Sequence, residues 1–180
     1  MQPYYHDEYV TLYHGDNREI APKLGTFDLL LTDPPYGIGL TKYNQVGNGK
    51  ILRRNRTSIP RIVKATQFTV ADWDNNAPRM DDLILFLDKA TWHILWGGNH
   101  FGVPPSTCWL VWNKDNAGTD FGDCELAYTN MKRSNRMFTW RWNGMIQHYD
   151  RLKEKRVHPA QKPIPLMKWC IGLAPKVHTI

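Results

Sequence analysis

The sequence predicts an α/β fold, in which helices cover a sheet, and three observations support this prediction. A mainly apolar run at Phe27–Thr32 is typical of a strand buried on both faces of a sheet. The run stops at Pro34 and Pro35, because proline cannot continue a central strand. Strand-like and helix-like patterns then alternate along the chain, as they do in α/β proteins.

The other elements follow from periodicity and from residues that start or end structure. Residues 17–24 fit a short helix that Asp16 can cap. Residues 80–90 have helical spacing, with Leu83 and Leu87 on one side. Pro163 is well placed to open a final helix that extends to about residue 173. Further strands are predicted at residues 9–13, 92–96, 107–112, 124–128 and 136–142.

The composition bounds the class of protein. With 180 residues the chain matches one domain of about 150 residues, and 42% hydrophobic with 22% charged residues indicates a globular protein. A net charge of +6 favours an anionic partner such as nucleic acid, although a basic protein without such a partner would carry the same charge. No apolar run approaches the roughly 20 residues that a membrane-spanning helix needs, so we expect no membrane contact.

The cysteines indicate neither a metal site nor a disulfide framework. Cys108, Cys124 and Cys170 are scattered and form no CxxC pair. This pattern is typical of a protein from the reducing cytosol. The N-terminus carries no apolar signal segment, which also favours a cytoplasmic protein.

Two short motifs carry the chemistry. Asp33-Pro34-Pro35-Tyr36 follows the predicted buried strand, at the edge of an α/β sheet where ligands bind. The second motif is His158-Pro159-Ala160-Gln161-Lys162-Pro163, which precedes the final helix. Together they resemble the site-specific DNA methyltransferases that act on the exocyclic amines of bases. Adenine-specific members carry Asp-Pro-Pro-Tyr and a His-Pro-Thr-Gln-Lys-Pro element, in which Ala160 here replaces the commoner threonine.

The resemblance also implies the type of sheet, the order of its elements and the extent of the domain. We expect a Rossmann-like S-adenosylmethionine-dependent sheet with helices on both faces, circularly permuted, in one domain over residues 1–180. The family continues into a strand and a Phe-x-Gly-x-Gly loop that holds the cofactor, and this sequence has no such loop. Because the chain stops at Ile180, about where that strand should begin, we expect a partial domain that binds the cofactor weakly by itself.

The four-residue motif suits methyl transfer to an amine. The lone pair of a base amine is delocalised into the ring, and acceptors on the amine hydrogens restore its nucleophilic character. The Asp33 carboxylate can accept a hydrogen bond from one N–H of the amine and the Pro34 carbonyl one from the other, with Pro35 keeping that carbonyl rigid. Tyr36 offers a ring on which a base flipped out of the duplex can stack.

Further roles follow from the resemblance. The acid of the strand before the catalytic one, here Asp16, would contact the adenine of S-adenosylmethionine. Since residues 9–13 and 27–32 are consecutive predicted strands, we expect Asp16 and Asp33 to face one crevice. The remaining cofactor contacts are expected at Asp33, His158, Gln161 and Lys162, although a solvated lysine at the start of the final helix is an equally good interpretation of Lys162. No metal site is expected at His158, because no partner ligand stands at a suitable spacing.

The segment from residue 37 to 70 has no periodicity. A long irregular stretch in a compact domain is usually a functional lid or loop, so a mobile basic loop is predicted at about residues 37–70. Its basic residues either follow DNA phosphates or form an ordinary solvated surface, and their place beside the proposed base pocket favours DNA. These residues are Lys50, Arg53, Arg54 and Arg56.

The resemblance also indicates partners and alternatives. The expected function is methyl transfer to adenine in double-stranded DNA with a flipped target base, in a bacterial or phage protein that works beside a restriction endonuclease. The same chemistry on the amino group of cytosine, or on an RNA or protein amide, is one alternative. The other is a DNA-binding protein without catalysis, which the missing cofactor loop favours.

Overall fold

The computed structural model describes residues 1–39, 72–117, 122–143, 146–147 and 154–180, and two short strands at 45–46 and 66–67. The strands are β1 (Tyr5–His6), β2 (Thr11–Leu12), β3 (Phe27–Thr32), β4 (Gln45–Val46), β5 (Thr66–Gln67), β6 (Ala90–Trp96), β7 (Trp109–Asn113), β8 (Cys124–Thr129), β9 (Arg136–Thr139), β10 (Trp142–Asn143) and β11 (Ile146–Gln147). The helices are α1 (Asn17–Ile20), α2 (Met80–Leu87) and α3 (Ile164–Leu173), with 3-10 turns at Ala21–Lys23 and Gly98–His100.

The centre of the molecule is a mixed five-stranded sheet, so the predicted α/β class is correct. Its strand order is β3-β6-β8-β7-β9. Strand β3 pairs in parallel with β6, and β7 pairs in parallel with β9. Strand β8 lies between β6 and β7 and runs antiparallel to both.

Helices lie on both faces of this sheet. On one face, Leu166 and Cys170 of α3 pack with Ile94 and Trp96 of β6, and all four side chains are buried. On the other face, Leu83 and Leu87 of α2 are buried, and Leu83 packs with Leu95 of β6. Successive residues of a strand point to opposite faces, which is why Leu95 belongs to a different cluster from its two neighbours.

The N-terminal segment folds apart from the five-stranded sheet. Strands β1 and β2 pair with each other as an antiparallel hairpin. The chain then enters α1, where the Asp16 carboxylate accepts a hydrogen bond of 2.9 Å from the backbone N–H of Arg18. The predicted cap is therefore confirmed, whereas only two residues of the predicted strand 9–13 form a strand.

Several predicted boundaries need correction. Helix α2 ends at Leu87, and Ala90 instead begins β6 because it pairs with Phe27. The predicted strand 136–142 ends at Thr139, and Trp142 belongs to the separate β10–β11 pair. In the stretch predicted to be irregular, β4 and β5 form an antiparallel pair. Lys50, Arg53, Arg54 and Arg56 lie outside the described residues.

The strand directions place several loops at one edge of the sheet. Strands β3, β6 and β7 end at this edge, and β8 begins there because Glu125 pairs with Trp112. At the opposite end of β3, the Thr179 carbonyl accepts hydrogen bonds of 3.1 Å from the backbone N–H groups of Asp28 and Leu29. In the part of the chain that the structure describes, none of the helices has the length and apolar character needed to cross a membrane.

Candidate active site

A cavity of about 300 Å³ opens at the edge where β3 and β7 end and β8 begins. Its walls combine aromatic rings, prolines and charged groups. The lining residues used below are Asp33, Pro34, Pro35, Tyr36, Trp73, Asp74, Lys114, Asn116, Glu125, Trp142, Gln161 and Lys162. The structure therefore brings the whole Asp-Pro-Pro-Tyr motif together with the central part of the second motif, residues 159–162, although the two are distant in sequence.

Both carboxylate oxygens of Asp33 are engaged. Oδ1 accepts a hydrogen bond of 2.6 Å from the Tyr36 hydroxyl, and Oδ2 accepts one of 2.7 Å from Lys162 Nζ. The Lys162 side chain is 9% exposed and that of Asp33 is 23% exposed, so solvent screens this pair only weakly. A ligand amine that binds Asp33 must therefore displace one of these donors or share an oxygen with it.

Glu125 forms the other half of a four-charge network. Its Oε1 pairs with Lys114 Nζ, and Lys162 Nζ lies 3.0 Å from its Oε2. Burial by itself would raise the pKa of Glu125, but the charges of Lys162 and Lys114 outweigh burial and lower the pKa, so the carboxylate is ionised at neutral pH. Two carboxylates and two ammonium groups thus balance one another beside the cavity.

Asp74 fixes the backbone of the Asp-Pro-Pro-Tyr segment. Its side chain is buried, and Oδ1 accepts hydrogen bonds of 2.9 Å and 3.1 Å from the backbone N–H groups of Tyr36 and Gly37. Gly37 has a φ of +72°, and a Cβ there would lie 2.6 Å from the backbone nitrogen of Ala77. The turn after Pro35 therefore needs both a glycine and an acceptor from a distant part of the chain.

The Tyr36 ring is held in place by three neighbours. A Cβ on Gly97 would lie 2.0 Å from Tyr36 Cε1, so the ring packs directly on this glycine. His100 stacks on the ring with centroids 4.8 Å apart, and Phe101 meets it edge-on. Burial, together with the charges of Asp33 and Glu125, raises the pKa of Tyr36, so its hydroxyl remains protonated and acts as a donor.

The second motif is anchored so that Lys162 reaches the cavity. The Gln161 carbonyl accepts a hydrogen bond of 2.9 Å from the indole N–H of Trp142, and its side-chain oxygen accepts one of 2.8 Å from the backbone N–H of Val157. His158 is exposed and does not line the cavity, but its ring centroid lies 5.0 Å from that of Trp73, which does. The second motif thus shapes one wall.

Asp16 stands apart from this site. It forms an ion pair of 2.5 Å with Arg18, which lowers its pKa to about 2, and it is not among the residues that line the cavity. The expectation that Asp16 and Asp33 face one crevice is wrong for the described residues, because β2 pairs with β1 and not with the five-stranded sheet. Contact between Asp16 and a cofactor stays a prediction.

Sequence reasoning gave no role to several residues of the site. Glu125 and Lys114 become neighbours only through the pairing of β7 with β8. Asp74 is 38 residues from the backbone it holds. The sequence gives only a weak signal for Asp74, because an acid beside a tryptophan, here Trp73, is too common a pattern to assign a site.

Comparison with known proteins gives a partial match. Over 76 residues the chain is 34% identical to the Type II methyltransferase M.ScaI of Streptomyces caespitosus. This chain is therefore similar to a methyltransferase over part of its length. The match covers 41% of this chain and spans about a quarter, 25%, of the relative. No family model matches the chain, and no solved structure matches it.

The chemistry of the lining suits a ligand that donates hydrogen bonds. Asn116 is buried, and its side-chain oxygen has no hydrogen-bond partner among the described residues although its Nδ2 donates to the Gly122 carbonyl. Asp33 and Glu125 add two carboxylates. No group of three or more potential metal ligands occurs within the described ranges. The cavity therefore offers acceptors and aromatic surface to an amine-bearing ring.

Proposed function

We propose that the protein transfers a methyl group from S-adenosylmethionine to the exocyclic amine of adenine in double-stranded DNA. The observation that carries this proposal is the position of the Asp33 carboxylate, which pairs with Lys162 and lines a cavity with aromatic walls beside Tyr36. The partial similarity to a Type II methyltransferase supports the reaction class. The Asp-Pro-Pro-Tyr sequence favours adenine over cytosine through its resemblance to the adenine-specific family.

The residues of the site have distinct tasks in this reaction. Asp33 accepts a hydrogen bond from one N–H of the target amine, and the Pro34 carbonyl accepts one from the other N–H, so that the nitrogen lone pair points away from both. Negative charge on Asp33 stabilises the positive charge that develops on nitrogen as its bond to the methyl carbon forms. The nitrogen then loses one proton to solvent as the product leaves, and the product is a secondary amine. The aromatic walls hold the base ring and exclude water.

The lining also fits the methyl donor in its chemistry. S-adenosylmethionine supplies a methyl group on a positively charged sulfur, and the electron pair of the broken bond stays on sulfur. Carboxylates and an unused amide oxygen are suitable partners for a ligand that carries positive charge and amino hydrogens. Gln161 and Lys162 line the same cavity and are the proposed contacts from the second motif, with His158 acting through Trp73.

Transfer of a labelled methyl group tests the proposal. The protein, expressed from its complete reading frame, is incubated with tritiated S-adenosylmethionine and one of three acceptors: unmethylated genomic DNA, RNA or a protein mixture. We expect label in DNA, with RNA and protein at background. Label in RNA or protein would contradict the proposed acceptor, and background counts in all three would contradict methyl transfer itself.

A further inference from the structure

Lys162, which is hydrogen-bonded to Asp33, lies close to a second carboxylate. Lys162 Nζ donates to Asp33 Oδ2 at 2.7 Å and lies 3.0 Å from Glu125 Oε2. The contact with Glu125 is an ion pair, and Glu125 Oε2 is buried from solvent. Lys162 thus lies within contact distance of two carboxylates, and it donates its assigned hydrogen bond to Asp33.

The acceptor role of Asp33 conflicts with this resting arrangement. Lys162 holds Oδ2 and Tyr36 holds Oδ1, so an arriving amine meets two oxygens that already accept hydrogen bonds. A buried ammonium group that loses its carboxylate must find another, since an unpaired buried charge is costly. Glu125 Oε2 is that second carboxylate, and Lys114 holds the other oxygen of Glu125 in place.

We propose that Glu125 is a positioning residue that receives the Lys162 ammonium group when a target amine occupies Asp33. The shift is small, because Lys162 Nζ already touches both carboxylates and needs only to reorient its hydrogens. The total charge of the network is unchanged by it. Glu125 acts through Lys162 and does not touch the base. This inference rests on the function proposed above and assigns a role that the resemblance did not give.

A double-mutant cycle on methyl transfer tests the coupling. The rate of a single turnover is measured for the wild type, Glu125→Gln, Lys162→Met and the double variant, together with the KM for DNA. We expect Glu125→Gln to lower the rate about 10-fold with little change in KM, because Lys162 then stays on Asp33. In the Lys162→Met background the same change should alter the rate by less than about 2-fold. A decrease of about 10-fold caused by Glu125→Gln in the Lys162→Met background would overturn the inference.

A second measurement does not depend on turnover. Nitrogen NMR of the lysine ammonium groups follows Lys162, whose signal is identified by its loss in Lys162→Met. Before nucleotide is added, we expect a scalar coupling across the hydrogen bond between the Lys162 ammonium nitrogen and the Asp33 carboxyl carbon. On addition of deoxyadenosine monophosphate, this coupling should disappear and a coupling to the Glu125 carboxyl carbon should replace it. The same nucleotide without its amino group should leave Lys162 on Asp33.

The outcomes separate the inference from the function on which it rests. Methyl transfer or nucleotide binding with Lys162 still on Asp33 overturns the role of Glu125 alone. Absence of both transfer and binding overturns the proposed function, and the role of Glu125 with it. Thermal unfolding of each variant shows whether a lost signal reflects a lost fold.

Discussion

Asp33→Asn is expected to lower the rate of methyl transfer by about 100-fold or more, which corresponds to a loss of roughly 3 kcal/mol of transition-state stabilisation. The asparagine keeps the shape of the side chain but replaces one acceptor oxygen by an NH₂ group that faces the donor hydrogens of the amine. It also removes the negative charge that opposes the charge developing on nitrogen. Steady-state kinetics with labelled S-adenosylmethionine measures the loss.

The fold should survive this change. Lys162 keeps Glu125 as a partner, and the backbone of the segment is still held by Asp74. Asp81→Asn is the matched control, because Asp81 is 75% exposed on α2 and pairs only with the exposed Arg79 among the described contacts. Equal activity of Asp33→Asn and Asp81→Asn would exclude Asp33 as the acceptor of the amine.

Gly97→Ala is expected to disrupt both the fold and the site. Gly97 has a φ of +70°, and alanine in this left-handed conformation costs about 1 kcal/mol or more before any contact is considered. Its Cβ would then lie 2.0 Å from Tyr36 Cε1 and 2.5 Å from two other ring carbons, which no small adjustment relieves. The ring must leave its place, and we expect destabilisation of about 3 kcal/mol together with loss of methyl transfer.

Gly102→Ala provides the control for this change. Gly102 lies further along the same connection, and the Cβ that alanine adds there would have no heavy atom within 4 Å. Its backbone also does not have a positive φ. Chemical denaturation should show the wild-type midpoint for Gly102→Ala and a clear decrease for Gly97→Ala. A wild-type midpoint and normal activity for Gly97→Ala would mean that Tyr36 does not pack on this glycine as described.

The parts of the fold that the sequence predicted are those with local signals. The apolar run of β3, the proline that precedes α3 and the aspartate that caps α1 all act through neighbours within a few residues. The position of β8 between β6 and β7 has no such signal, because strand order depends on hydrogen bonds between distant segments. Periodicity therefore predicted the α/β class and not the mixed topology.

The residues of the site fall into the same two groups, those with a local signal in the sequence and those that depend on distant segments. The motif Asp33-Pro34-Pro35-Tyr36 is contiguous, so it can be recognised in the sequence alone. The structure places all four residues at one cavity. Glu125 received no predicted role, since its role depends on Lys162 and Lys114, which two other elements bring close to it. For Asp16, the sequence predicted the local role correctly but not the position in the fold. Its local cap was predicted correctly, but its place beside Asp33 required β2 to join the main sheet.

The identity of the atom that receives the methyl group decides most directly whether Asp33 holds an adenine amine. Duplex DNA treated with the protein and deuterated S-adenosylmethionine is digested to nucleosides, and the products are separated by liquid chromatography with mass detection. We predict labelled N6-methyldeoxyadenosine from the wild type and none from Asp33→Asn. Labelled N4-methyldeoxycytidine would contradict the choice of base, and labelled 5-methyldeoxycytidine, or no labelled nucleoside at all, would contradict transfer to an amine held by Asp33.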